Sequence, residues 1–357
     1  MKILIDIGHP AHIHYFRNFI SIMMSKGHEF LITSRDKEVT FELLSAYKLS
    51  YISRGKGRKN IIGKMIYLFQ GVYTIYKASK KFNPDLFVSF GSPYAAQASS
   101  LIKKPHVVFD DTEHSKFEQL MYKPFSKSII TPEVFFKDMG VKQIRFNSYM
   151  ELCYLHPKYF YPKQEIFKQL NININTKYVI LRFISWDANH DIGEKGLSYE
   201  YKIKLINELN KKYRVFISSE GILPKYFIKF KLNIKPEYLH SVLFYAQLYI
   251  GEGSTTAAEC SILGTPSIYV NSLFVSYCAE LEEKYGLLYI FNKEKGVLEK
   301  ARELLSMPNL KDEWHKRRMK MLSEKIDVTA FMVWFIENYP QSVKIMKENP
   351  AYQYRFK

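Results

Sequence analysis

Short apolar runs alternate with amphipathic stretches along almost the whole chain, and this alternation limits the fold more than any other feature. Lys2–Ile7 precedes a helical pattern over His14–Ser25, and Glu29–Ser34 precedes another over Lys37–Tyr47. Strands that alternate with helices form βαβ units and pair in parallel. The later runs expected to be strands are DLFVSF, HVVFD, SIIT, YVILRFI, YRVFIS, LYIGEG and PSIYV. The sequence therefore predicts an α/β fold with parallel sheets.

Length and one irregular stretch predict two domains. The 357 residues are 47% hydrophobic, which is enough for two cores. Residues 156–176 are rich in Pro, Asn and Lys, lack a strong period and are expected to be a linker. We therefore expect one domain over 1–155, a second over 177–325, and a C-terminal helix over 326–357 that returns toward the first domain.

Polar loops follow most of the expected strands, at the edge where open α/β sheets bind ligands. In the first half they are GHPAHIH, SRDK, FGSPYAA and DDTEHS, and in the second SWDANHDIGEKG, SSEG and GEGSTTAAE. We expect the functional residues in these loops, around a cleft between the two domains.

The loop GEGSTTAAE is typical of a phosphate site. Glycine allows backbone conformations that other residues rarely adopt, and a helix N-terminus offers N–H groups and a positive dipole end. Glu259, further along the helix, is placed to accept hydrogen bonds from sugar hydroxyls. A structural interpretation also fits, with Ser254 as N-cap and Gly264 as C-cap. The residues expected to hold the phosphate are Gly253, Ser254, Thr255 and Thr256.

Three histidines, His9, His12 and His14, follow the first strand. No acidic partner or HExxH spacing accompanies them, which argues against zinc. A histidine near neutral pKa suits proton transfer, so His12 is a candidate general base. Gly8, His9 and His14 are candidate cleft residues, although His14 most readily fits a packing role.

DDTEHS places four titratable groups at the end of one strand. Such groups shift one another's pKa, which is typical of active sites, although a solvated turn has the same composition. Asp111 and Glu113 are therefore alternative candidates for the base. His114, and Ser92 of the loop FGSPYAA, are candidate cleft residues.

RFISWDANHDIGEKG sets one tryptophan among polar residues. Trp186 suits stacking on a nucleobase, and Arg182 or His190 suits contact with phosphate. Packing of Trp186 beneath the loop is the alternative.

The formal net charge of +17 suits anionic partners. A basic stretch over 54–81 carries Ile61, Met65, Leu68 and Val72 at helical spacing. It fits either an anionic membrane surface or a core helix. The basic residues are dispersed without a nucleic-acid motif, which argues against nucleic acid. No apolar run is long enough to span a membrane, so we expect a cytoplasmic protein, peripheral on the inner face of the membrane if the stretch binds lipid.

Together these loops resemble the GT-B superfamily, which includes nucleotide-sugar glycosyltransferases and non-hydrolysing UDP-N-acetylglucosamine 2-epimerases. More narrowly, DIGHPAHIHYFRN, ELCYLHPKYFYP and RFISWDANHDIGEKGLS resemble a family of predicted glycosyltransferases of unknown function. The narrower resemblance spans nearly the whole chain. It implies two Rossmann-like domains facing across a cleft, with the C-terminal helical segment packing back.

The resemblance also implies roles for single residues. His12 falls where the N-acetylglucosaminyltransferase that makes lipid II has a histidine. Gly253 and Glu259 repeat that enzyme's spacing between a glycine and a glutamate that holds the donor ribose. The epimerases carry an aspartate where this chain has Gly91, Ser92 and Pro93, a departure that argues against epimerase or hydrolase chemistry.

The sequence thus predicts a metal-independent glycosyltransferase that uses a nucleotide sugar, UDP-linked, as substrate and needs no cofactor. The acceptor is expected to be a glycan or a polyprenyl-linked molecule. A nucleotide-sugar epimerase or hydrolase of the same fold is one alternative. A non-catalytic protein that binds sugar nucleotides or membranes is the other.

Overall fold

The computed structural model describes residues 1–58, 60–183, 197–219 and 223–357. These residues form two compact units, each with its own parallel sheet. The first unit combines Met1–Tyr159 with Lys325–Lys357, and the second is the continuous segment Phe160–Glu324.

Among the described residues, seven strands form the sheet of the first unit. They are β1 (Lys2–Ile7), β2 (Glu29–Asp36), β3 (Ile52–Lys56), β4 (Leu86–Phe90), β5 (His106–Phe109), β6 (Ser128–Pro132) and β7 (Gln143–Phe146). Their spatial order is β3-β2-β1-β4-β5-β6-β7, and all neighbouring strands are parallel. The accompanying helices are α1 (Pro10–Ser25), α2 (Thr40–Ala46), α3 (Ile61–Phe82), α4 (Pro93–Leu101), α5 (Lys116–Tyr122) and α6 (Leu152–Leu155).

The sheet of the second unit has five strands within the described ranges. They are β8 (Tyr178–Phe183), β9 (Arg214–Ser219), β10 (Leu248–Gly251), β11 (Ser267–Val270) and β12 (Leu288–Phe291), in the parallel order β12-β11-β10-β8-β9. Its helices are α7 (Glu165–Gln169), α8 (Tyr199–Leu209), α9 (Leu239–Tyr245), α10 (Ser254–Leu263), α11 (Ser276–Glu283), α12 (Val297–Ser306) and α13 (Leu310–Glu324).

The C-terminal segment returns to the first unit as two helices, α14 (Val328–Glu337) and α15 (Gln341–Glu348), and a short 3-10 segment, Pro350–Phe356. Helix α14 packs against α1 and α6. The predicted class, two Rossmann-like parallel sheets with a C-terminal helical segment that packs back, is therefore confirmed.

The central strands are apolar at nearly every position because helices cover both faces of the sheet. Leu4 of β1 and Phe87 of β4 pack against Val72 and Ile75 of α3. The opposite side is covered by α1, which brings the fully buried Phe16 into the core. This layering leaves the loops at the carboxyl ends of the strands to carry polar residues.

Two segments differ from expectation. Strand β3 is an edge strand in which Arg54 is buried while the other four residues are exposed, so it carries no apolar signal in the sequence. Residues 160–176, expected as part of a linker, lie in the second unit, where Ile166 and Phe167 of α7 are buried.

Helix α3 buries part of the apolar face for which the sequence allows either a membrane surface or a core position. Val72 is buried and Leu68 is partly buried against the core cluster, whereas Met65 is exposed. The side chain of Ile61 lies outside the described residues. Within those residues, no helix is both long enough and apolar enough to cross a bilayer.

Candidate functional site

The loop after β1 leads directly into α1, and its histidines begin that helix. His9 is the N-cap residue, whose Nδ1 accepts a hydrogen bond from the Ala11 N–H at 3.2 Å, and Pro10 opens the first turn. One turn later, Nδ1 of His12 accepts the Gly8 N–H at 3.2 Å. A neutral imidazole that accepts at Nδ1 carries its proton on Nε2. In this arrangement His12 is a hydrogen-bond donor at Nε2.

The surroundings of His12 keep its ring uncharged. Burial lowers the pKa of His12 well below its ordinary value, and His9, Lys37 and Arg54 lower it further. The ring also lies 4.9 Å from the Phe90 ring, measured between centroids. His12 is therefore neutral at neutral pH.

The other two candidate histidines of this unit have different settings. His14 is buried, with its ring centroid 5.8 Å from that of Tyr47 and 5.1 Å from that of Tyr154. This environment is the packing role that the sequence allowed for it. His114 is exposed at the surface of the unit.

A buried ion pair that sequence reasoning missed lies beneath this loop. Asp6 of β1 accepts hydrogen bonds from Arg54 Nε at 2.8 Å and Nη2 at 3.1 Å, and Arg54 Nη1 donates to Tyr67 Oη at 2.9 Å. Thr33 and Ser92 also donate to the Asp6 carboxylate, at 2.8 and 2.5 Å. The only signal in the sequence was an aspartate inside an otherwise apolar strand. Arg54, the first residue of the basic stretch over 54–81, is buried in this pair and is not available to lipid.

The two adjacent aspartates after β5 are both buried, and their pKa values are raised. Asp110 accepts hydrogen bonds from the Thr112 N–H and from the hydroxyl of Tyr122, and burial raises its pKa to about 6. Asp111 is buried beside it. Burial, together with the charges of Asp110 and Glu113, raises the pKa of Asp111 to about 8. Asp111 therefore keeps its proton at neutral pH.

These groups share one edge of the sheet. Strands β1, β4 and β5 are neighbours and parallel, so the loops that carry His12, Ser92 and Asp111 all leave from their carboxyl ends. Ser92 also begins α4, since its Oγ accepts the Ala95 N–H at 3.2 Å. The first unit thus gathers a neutral imidazole and protonatable carboxyls at one edge.

In the second unit, the loop between β10 and α10 forms a cationic helix terminus. Gly253 is the N-cap of α10, and within the described residues no side chain caps this end. Gly253, Ser254 and Thr255 are partly exposed. Arg182, at the end of β8, donates from Nη1 to Ser218 Oγ at 2.7 Å, and its Nε lies 3.8 Å from the position a Cβ on Gly253 would take. A guanidinium beside an uncapped helix N-terminus favours an anion.

The last residue of β10, directly before this loop, has room only for a glycine. A Cβ on Gly251 would lie 2.3 Å from Tyr249 Oη and 2.9 Å from the Arg182 carbonyl oxygen. Tyr249 is fully buried, and its hydroxyl has no hydrogen-bond partner among the described residues. A buried hydroxyl of this kind, close to a helix N-terminus, is a group that a ligand or water satisfies.

The two acidic residues of the loop are both buried and paired. Glu259 places Oε1 2.9 Å from His240 Nε2 of α9. Glu252 accepts from the Leu197 N–H at 2.9 Å and pairs with Lys202 Nζ at 3.1 Å. Neither His240 nor Lys202 was expected from the sequence, since each lies on another helix. Thr256 is buried one turn into α10.

Trp186 and His190 lie outside the described residues. In the part of the chain that the structure describes, no group of three or more His, Cys, Asp or Glu side chains is arranged to hold a metal ion.

Residues 1–322 match the family model described as protein of unknown function DUF354. The chain belongs to the DUF354 family. An uncharacterised protein of Methanocaldococcus jannaschii is 23% identical over 278 residues, which cover 75% of this chain and 81% of that protein.

Solved structures share the fold over nearly the full length of this DUF354 protein. Staphylococcus aureus MnaA, solved with UDP, has a TM-score of 0.68 at 11% identity and covers 96% of this chain and 97% of its own. The UDP-GlcNAc 2-epimerase of Neisseria meningitidis, bound to UDP-GlcNAc, has a TM-score of 0.63 at 12% identity, with 88% and 94% covered. The spinosyn forosaminyltransferase SpnP has a TM-score of 0.60 at 13% identity, with 96% and 99% covered. The fold is therefore GT-B, and its neighbours include both glycosyltransferases and nucleotide-sugar epimerases.

Proposed function

We propose that this DUF354 protein is a cytoplasmic glycosyltransferase that moves a sugar from a UDP-linked donor to a glycan or polyprenyl-linked acceptor. The observation that carries the proposal is the Arg182 guanidinium beside the uncapped, partly exposed start of α10. A helix N-terminus and a fixed cation together suit a diphosphate. Among the fold neighbours, MnaA was solved with UDP and the Neisseria epimerase with UDP-GlcNAc, which supports a UDP-linked donor.

In the proposed donor site, backbone N–H groups and hydroxyls from Gly253 to Thr256 bind the diphosphate. Glu259 binds the ribose, and Trp186 and His190 contribute contacts to the base and phosphates. As the bond to the sugar breaks, the helix terminus and Arg182 stabilise the negative charge on the leaving diphosphate, so this step needs no metal.

The proposed base that accepts the proton of the acceptor hydroxyl belongs to the first unit. His12 is neutral, but its Nδ1 is occupied by the Gly8 N–H, so it serves as a base only after its proton moves from Nε2. Asp111 becomes a carboxylate only as the pH rises toward about 8. A kcat/KM that rises with pH, is half-maximal near pH 8 and levels off above it would assign the base to Asp111. A profile that is flat above pH 6 would assign it to His12, and Glu113 is the remaining candidate.

A nucleotide-sugar epimerase or hydrolase is the second candidate. The Neisseria epimerase supports it, because its TM-score is 0.63, against 0.60 for SpnP. This small difference between scores does not outweigh the residues Gly91-Ser92-Pro93, which directly follow β4.

A thermal-shift screen of nucleotides and nucleotide sugars tests the donor site. A ligand that binds the folded state alone raises the melting temperature by mass action, and UDP-sugars should do so. Release of UDP that requires an added acceptor indicates transfer, and release in water alone indicates hydrolysis. A sugar product with changed stereochemistry indicates epimerisation, and binding without turnover indicates a non-catalytic protein.

A further inference from the structure

Helix α3 carries a second apolar face that the core does not use. Ile62, Met65, Ile66, Phe69 and Tyr73 are exposed to between 40% and 72% of their full surface. Their spacing of three and four residues places them on one side of the helix, and eleven residue steps extend this side over roughly 17 Å. We call these five residues the outer stripe.

The opposite side of the same helix is fully used in packing. Tyr67, Val72 and Ile75 are buried, and the latter two belong to the core cluster under β1 and β4. The outer stripe is therefore not the core-facing side of α3, because a different side of the helix already packs in the core. Single exposed apolar residues are normal, but five on the same side of one helix are typical of an interaction surface.

Basic residues surround the outer stripe. Arg58 and Lys64 are exposed at its beginning, and Lys77, Lys80 and Lys81 are exposed where the helix continues beyond it. Residues 54–84 contain no Asp or Glu. At the start of the outer stripe lies a shallow depression of about 460 Å³, lined by Arg58, Asn60, Ile62, Gly63 and Ile66.

We propose that the outer stripe of α3 docks the protein on the surface of an anionic bilayer. Apolar side chains of an interfacial helix enter the boundary between headgroups and acyl chains, while flanking Lys and Arg pair with lipid phosphates. The depression beside Arg58 combines both features, a guanidinium next to apolar side chains. This surface differs from the candidate membrane face in the sequence, because Leu68 and Val72 pack inward and Arg54 is buried.

The same charge distribution disfavours a second copy of the chain as the occupant. In a twofold dimer through this face, each surface meets its own copy. The basic residues of both copies would then be brought together, with no acidic residue in 54–84 to neutralise them. An anionic lipid surface supplies the missing charge.

Flotation with lipid vesicles tests the proposal, using the full-length protein without donor or acceptor. The intact chain should bind vesicles that mix phosphatidylglycerol with phosphatidylcholine, and bind vesicles of phosphatidylcholine alone weakly. Ile62→Ser/Phe69→Ser should lower binding by about tenfold or more, since both side chains insert. Arg58→Gln/Lys64→Gln should lower binding to anionic vesicles and weaken its salt dependence.

The matched control is Ile228→Ser/Met319→Ser, which removes two exposed apolar side chains from the second unit and should bind like the intact chain. The six residues replaced in these three double variants are all exposed, so the melting temperatures should stay unchanged. If the Ile62→Ser/Phe69→Ser variant fails to fold, the Phe69→Ser variant takes its place.

Three outcomes would overturn the proposal. The first is no association with anionic vesicles at low salt, and the second is equal binding by the Ile62→Ser/Phe69→Ser variant. The third is a dimer in sedimentation velocity that this variant converts to monomer, which would assign the outer stripe to a second copy. Nucleotide binding is measured separately in the thermal-shift screen. A negative flotation result would therefore not contradict the proposed transfer reaction, and a negative thermal-shift result would not contradict the proposed membrane surface.

Discussion

Single side chains give the two units different chemistry. Arg182 holds a positive charge beside partly exposed backbone in the second unit. In the first unit, Asp110 and Asp111 are carboxyls whose pKa is raised by burial. The first arrangement suits an anion, and the second suits the transfer of a proton.

Replacing Arg182 should weaken donor binding. Arg182→Gln removes a charge-assisted contact to the proposed diphosphate, which costs about 1.5–3 kcal/mol, or roughly 10- to 150-fold in Kd. Titration calorimetry with the nucleotide identified in the screen measures the change. Arg302→Gln, which removes an exposed arginine of α12, is the control and should leave Kd unchanged. Equal affinity in both variants would remove Arg182 from the site.

Asp111 should make the protein less stable as the pH rises. Its pKa is about 3.8 in the unfolded chain and about 8 in the folded one, so between these values the unfolded chain releases a proton that the folded chain keeps. The free energy of unfolding therefore falls with increasing pH across this window, by at most about 1.4 kcal/mol per pH unit from this group. Asp111→Asn should flatten the slope in urea titrations at pH 5, 6 and 7. An unchanged slope would mean that Asp111 is ionised in the fold.

At the scale of elements, short connections hold the proposed site in position. The loop between β10 and α10 has only Glu252 and Gly253 to turn the chain, and Gly251 before them passes close to Tyr249. In the first unit, the Asp6–Arg54 pair ties the edge strand β3 to β1.

Gly251→Ala should destabilise the second unit. The added methyl group would contact Tyr249 Oη and the Arg182 carbonyl, and overpacking of this kind costs about 1–3 kcal/mol. Tyr249→Phe in the same chain removes the nearest of these atoms and should restore part of the loss, as measured by urea unfolding. A Gly251→Ala protein as stable as the parent would show that the loop moves to accommodate the methyl group.

Arg54→Ala should cost more than any surface charge removal in the first unit. It leaves the Asp6 carboxylate buried without its cation, and breaking a buried pair in this way costs about 3–5 kcal/mol. Lys56→Ala, two residues away and exposed, should change stability by no more than about 0.5 kcal/mol. Similar melting curves for the two variants would contradict a structural role for Arg54.

The sequence predicts those elements whose own residues carry the signal. The bounds of β1 agree with prediction because an apolar run ends at Gly8, before a histidine and a proline. The strand β3 could not be predicted, since four of its five residues are exposed and its one buried residue, Arg54, contacts an aspartate 48 positions earlier. In α3 both sides are apolar, so periodicity finds the helix but does not tell which side faces the core. The pairing of Glu259 with His240 could not be predicted from the sequence either, because His240 lies on a different helix.

At the scale of the whole molecule, the first unit is built from both ends of the chain. Ile326 donates its N–H to the Asn147 carbonyl, and Ser148 Oγ donates to the Ile326 carbonyl at 2.8 Å. Phe331 and Phe335 of α14 are fully buried in this unit. The second unit, by contrast, is one continuous segment.

Truncation should therefore affect the units differently. A fragment of residues 160–324 should fold alone and melt cooperatively, because its sheet and core are complete within the segment. A fragment of residues 1–159 should lack a cooperative melt, since it loses the apolar side chains of α14 that cover α1 and α6. Circular dichroism during heating distinguishes the two results. A cooperative transition in the 1–159 fragment would show that the C-terminal segment is an accessory to this core.

Because the first unit combines residues from both ends of the chain, it can be completed only late in translation. A ribosome releases residues 1–159 early, yet their last covering helices leave the exit tunnel only after the entire second unit has been made. The portion containing the proposed base thus waits, incompletely covered, for about 165 residues of translation, or roughly 8–33 s at about 5–20 residues per second. During that interval the apolar surface of α1 and α6 that α14 later covers is open to chaperones.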